Sequence, residues 1–165
     1  DVTPSLWAIF GLGGVLLVIV LISEYISVDP SDVSFAIARI SLTAVSMALL
    51  LVLFIAVRGA GLRLYIVAAA IFPAVMLVSI KTLHLRLHGW NITWSVGISI
   101  AIFQIAIGLF YLPIKPLTFG LILLGITYAL VILAVNIEEK HPLERIWIEP
   151  AILLAIFSTL AVFLR

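Results

Sequence analysis

Two polar stretches hold the residue types best suited to chemistry: KTLHLRLHGW (Lys81–Trp90) and EEKHPLER (Glu138–Arg145). His84, His88 and His141 plus a water would complete a tetrahedral zinc site, with Glu138, Glu139 or Glu144 as general base for a hydrolysis. His84 and His88 stand four residues apart, which on a helix places both imidazoles on one face. The same stretch alternates, with Leu83, Leu85 and Leu87 against His84, Arg86 and His88, a period of two rather than 3.6. Extended, it would dip its leucines into lipid and hold the two imidazoles about 13 Å apart along the chain, too far to share an ion readily. Lys81 and Arg86 add positive potential that disfavours a cation. The stretch is therefore expected to be extended and interfacial. Zinc is the alternative, and no other cofactor is expected.

A second set of polar residues is scattered through apolar runs: Arg39, Gln104, Tyr128 and Glu149. Arg39, Thr43 and Ser46 form one stripe; Gly97, Ala101, Gln104 and Gly108 form another at i, i+4, i+7, i+11. Both stripes are expected to face inward. They would line either a small ligand pocket, with Tyr128 reaching Gln104, or a packing seam whose one amide is satisfied across helices. Arg39 sits about 10 Å below Asp32 on a helix and can snorkel back to the boundary. Glu149 is drawn to the same boundary, where the two either form an ion pair or reach the headgroups independently.

The elements that must position these residues follow from composition. The chain is 65% hydrophobic and 10% charged, with mean hydropathy +1.37, whereas soluble domains carry about 25% charged residues. Its solvent must be lipid, and its long unbroken apolar runs select helices over a barrel. Cysteine chemistry is excluded, because there are no cysteines. The net charge of +1 is uninformative, and with no basic arm to suggest one, no nucleic-acid partner is expected. The three lysines, Lys81, Lys115 and Lys140, fall near span ends, and no histidine, Asp or Glu lies deep in a run. Schiff-base, bis-histidine haem and carboxylate proton-relay functions are thus disfavoured.

Six spans are expected: Leu6–Ile22, Phe35–Val57, Leu62–Leu83, Ser95–Leu112, Leu117–Ile137 and Ile146–Leu164. The first lacks a preceding basic segment and reads as a span rather than a cleavable signal peptide. The connections DPSD (Asp29–Asp32), RGAG (Arg58–Gly61) and PIKP (Pro113–Pro116) are turns, and the pair Glu149–Pro150 reads as a helix start. Pro73 should kink the third span.

Six spans put both termini on one side, here side A, with Trp7, Tyr65 and Tyr111 in its aromatic belt. Tyr25, Trp90, Trp94 and Trp147 belong to side B. Side A carries Arg58, Arg63, Lys115 and Arg165; side B carries Arg39, Lys81, Arg86, Lys140 and Arg145. That balance does not decide orientation. The short, nearly acid-free connections of side A are assigned to the cytoplasm, and the membrane to the cytoplasmic membrane of a prokaryote. No internal repeat supports an inverted-repeat transporter.

The chain is thus expected to be an all-α, six-span bundle with longer polar loops on side B. Its expected role is that of a non-catalytic membrane subunit or domain of a larger assembly, with the bilayer and protein partners or further copies around it. The alternatives are a substrate- or lipid-binding transport component using Arg39, Gln104, Tyr128 and Glu149, and a metal-dependent membrane hydrolase using His84, His88 and His141.

Overall fold

The computed structural model describes residues 18, 20–22, 24, 35–61, 63–87, 89, 91–139 and 143–163. All regular structure among them is helical. A first helix, α1, is described at residues 18, 20–22 and 24. It is followed by α2 (Phe35–Gly59), α3 (Leu64–Leu87), α4 (Ile92–Phe110), α5 (Pro116–Glu138) and α6 (Leu143–Phe163). Two compact units divide the chain, Asp1–Ser46 and Met47–Arg165, and the division falls within α2.

Four of the described helices, α2 to α5, are long and apolar enough to cross a membrane. In α6 the apolar stretch is shorter, Ile146–Ala161, about 24 Å at 1.5 Å per residue against a hydrocarbon core of about 30 Å. The helices are apolar on their outer faces as well as their inner ones: Leu49, Val52, Leu77, Ile100 and Ile156 are all exposed. A helix apolar all round requires an apolar medium outside it.

In the first unit, Ala38, Leu42 and Thr43 are buried while Ile37 and Ile40 are exposed. The Thr43 hydroxyl donates to the Arg39 carbonyl at 2.9 Å. This bond conceals a polar group within its own helix.

In the second unit α5 is the central helix: 72% of its apolar window is buried, against at most 33% for α2, α3 and α4. It packs along α6, α4 and α3, and α3 pairs with α4. The core joins Leu50 and Phe54 of α2, Ile71 and Val75 of α3, Ile102 of α4, and Phe119, Leu123 and Val131 of α5. Two glycines on α5 permit close approach. A Cβ at Gly120 would stand 2.9 Å from Ile55 Cγ1, and one at Gly125 would stand 2.6 Å from Phe157 Cβ. Lipid supplies no hydrophobic drive between helices, so close packing of this kind has to hold them together.

Hydroxyls within the helices bond back one turn. Thr82, Ser95, Ser99 and Thr127 donate to the carbonyls of Val78, Asn91, Ser95 and Leu123. Each bond satisfies a polar group where water is absent.

Several expectations change. The stretch around His84 is not extended, because α3 continues to Leu87. Val75, Ser79, Thr82 and Leu83 are all buried and repeat at helical spacing, so the leucine run extends an existing face. A helix also bonds the N–H groups of its last turn to its own i−4 carbonyls, which a lone extended strand cannot. The side B connection between α3 and α4 shrinks accordingly to residues 88–91. Pro150 does not start α6. It lies inside a helix that begins at Leu143. The PIKP turn does end at a helix start, with Pro116 in the first turn of α5. Pro73 stays within α3 on an exposed position. The DPSD turn and the Asp32 cap lie outside the described residues.

Candidate functional site

At one end of the second unit lie the C-terminus of α3, the N-terminus of α4, the C-terminus of α5 and the N-terminus of α6. Trp94, half-buried at the start of α4, donates its indole Nε1–H to Glu138 Oε1 on α5 at 2.7 Å. This bond ties two helix ends on the side expected to carry the polar residues. A tryptophan whose ring packs on the core while its N–H reaches a carboxylate suits an interfacial position.

His84 occupies the last turn of α3, half-buried, with its Nδ1 atom buried. His88 and His141 lie outside the described residues. Among the described residues no three His, Cys, Asp or Glu side chains stand together as metal ligands would.

The second candidate set divides between the two units. Arg39 belongs to the first unit and is half-buried; Gln104, Tyr128 and Glu149 belong to the second. Gln104 is exposed on α4, as are Gly97 and Gly108, and a Cβ at either glycine would meet nothing within 4 Å. This stripe therefore faces out of the unit, contrary to expectation. The inward face of α4 carries Ser95, Ile98, Ser99, Ile102 and Ala106 instead. Both faces offer small residues, and the heavier aliphatic load of Ile98 and Ile102 is what α3 and α5 bury. Tyr128 is half-buried against the core. Among the described residues no hydrogen bond joins it to Gln104. Glu149 is exposed on α6, directly before Pro150.

Two polar residues with defined work were not anticipated. Asn136 is buried near the end of α5, and its side-chain amide donates to the Ile146 carbonyl on α6 at 3.5 Å. In a regular helix that carbonyl would accept from residue 150, but a proline has no N–H to give. An amide in an apolar run, ten residues before a carbonyl orphaned by Pro150, was the available signal.

Arg58 closes α2 at the opposite end. Its Nη2 donates to the Leu112 carbonyl at 3.0 Å, and its guanidinium lies 4.9 Å from the centre of the Phe110 ring and 5.7 Å from that of Phe119. A cation at a helix C-terminus is favoured by the helix dipole, and aromatic faces add to that. The two phenylalanines flanking the PIKP turn were the sequence signal for this arrangement.

Over residues 1–164 the chain matches the model of DUF5656, described as a protein of unknown function. The chain belongs to the DUF5656 family. That match spans every helix described above. The chain matches no curated protein and no solved structure.

Proposed function

We propose that this chain is a non-catalytic membrane subunit or domain, a six-span bundle whose work is association with other helices in the bilayer. The observation that carries the reading is the outward stripe of α4, where Gln104 stands exposed between Ala101 and Gly108. An amide facing lipid leaves donors and an acceptor unsatisfied, whereas a neighbouring helix can accept and donate in their place. The flanking small residues would let that helix approach closely. The termini are assigned to the cytoplasmic face of a prokaryotic cytoplasmic membrane, and the partners are other membrane proteins or further copies of the chain.

The test is the mass of the full chain purified in mild detergent. Supporting results are a complex larger than one chain and its loss in Gln104→Leu combined with Gly97→Leu, with helicity unchanged. A monomer in the unsubstituted protein, or a complex indifferent to both substitutions, would rule the reading out.

A further inference from the structure

The end of the second unit opposite Trp94 is built from two adjoining turns. One joins α2 to α3 through Gly59–Arg63, and the other joins α4 to α5 through Tyr111–Lys115. Arg58 holds them together by its 3.0 Å bond to the Leu112 carbonyl. A Cβ at Gly59 would stand 3.9 Å from the Pro116 ring, so the turns lie side by side with room for about a methyl group between them.

The charge here is one-sided. Arg58 and Arg63 have no carboxylate partner among the described residues. Arg58 spends its guanidinium on a neutral carbonyl and two rings, which fix its position and leave its charge intact. Arg63 and Lys115 are exposed. Neither RGAGLR (Arg58–Arg63) nor YLPIKP (Tyr111–Pro116) contains an acid. The second turn leads into α5, whose first turn has no acidic residue to offset the positive end of its dipole. Thr118, within that turn, is 5% exposed, and its hydroxyl has no hydrogen-bond partner among the described residues.

We propose that these paired turns form a binding site for the phosphate of an anionic phospholipid headgroup, with Arg58, Arg63 and Lys115 as its cations. A phosphate matches the fork of an arginine and the open N–H groups of a helix start. The source is lipid because the turns end helices of membrane-spanning length, and Tyr65 and Tyr111 are exposed beside them in the manner of an interfacial belt. An anionic headgroup is selected over a zwitterionic one because neither turn carries an acid of its own to meet a choline ammonium. The site rests on the reading that these helices cross a bilayer.

Native mass spectrometry of the full chain, titrated with phosphatidylglycerol or phosphatidylcholine, tests the site. Retention should favour phosphatidylglycerol, and R63Q/K115Q, altering two exposed side chains, should lower that preference by about five-fold per cation removed. Lys81→Gln, at the other end of α3, should leave it unchanged. Equal retention of the two lipids would overturn the proposal, as would an unchanged preference in R63Q/K115Q or an equal loss in Lys81→Gln. Displacement of phosphatidylglycerol by millimolar inorganic phosphate would also overturn it, in favour of a soluble anion. Membrane insertion is read separately, by flotation with phosphatidylcholine vesicles that survives carbonate extraction. Loss of flotation overturns the membrane reading itself, whereas retained flotation without lipid preference overturns the site alone.

Discussion

Asn136 on α5 donates its side-chain amide to the main-chain carbonyl of Ile146 on α6, the carbonyl that Pro150 leaves without its helical donor. Two helices are thereby joined through a defect in one of them. A proline inside a membrane helix is tolerated when a neighbour satisfies the freed group, and this amide is such a neighbour.

Replacing Asn136 by Leu should lower stability by about 0.5–1.5 kcal/mol, the net value of one such bond at its long separation. The coupling is the sharper test. Pro150→Ala restores an N–H within α6, so Asn136→Leu should cost measurably less in that background. Equal costs in both backgrounds, measured by thermal unfolding in detergent, would show that the amide does not serve this carbonyl.

Gly125 should not tolerate a side chain. Its Cβ position lies 2.6 Å from Phe157 Cβ and 2.8 Å from Cγ, atoms near the backbone that cannot swing away. Gly125→Ala should destabilise by about 1–3 kcal/mol through overpacking. Phe157→Gly, which removes both the Cβ and the ring, should recover part of that loss. Additive losses would place the strain elsewhere.

The helical course of α3 through His84 predicts slow amide exchange. Amides of His84–Leu87 should be protected by their i−4 carbonyls, with protection declining toward the helix end. Leu85→Pro should abolish protection over that last turn and lower the melting temperature, because it removes a donor inside the helix. Rapid exchange at these amides in the unsubstituted protein would favour the extended segment that the leucine alternation suggests.

The histidine stretch shows how far local pattern reaches. Leu83, Leu85 and Leu87 fit a strand period, yet Leu83 also continues the buried face of Val75 and Ser79. Over five residues the two periods share enough positions that neither excludes the other. Backbone satisfaction beside a membrane decides for the helix. Gln104 shows a different limit. Its alignment with Gly97, Ala101 and Gly108 was legible, but a helix with small residues on two faces does not declare which one its neighbours occupy. α3 and α5 take the face of Ile98, Ser99 and Ile102.

Sequence alone determined the medium and the element type. A chain 65% hydrophobic and 10% charged has too little polar surface for water, and lipid then forces each long apolar run to bond its own backbone as a helix. The borders at the RGAG and PIKP turns follow from residues whose effects are local. Only the tertiary structure decided that α5 is central, that Gly125 yields to Phe157, that Arg58 reaches Leu112, and that Asn136 serves Ile146. These are relations between separate helices. In lipid no polarity gradient around a helix marks its buried face, so shape and a few polar contacts choose it.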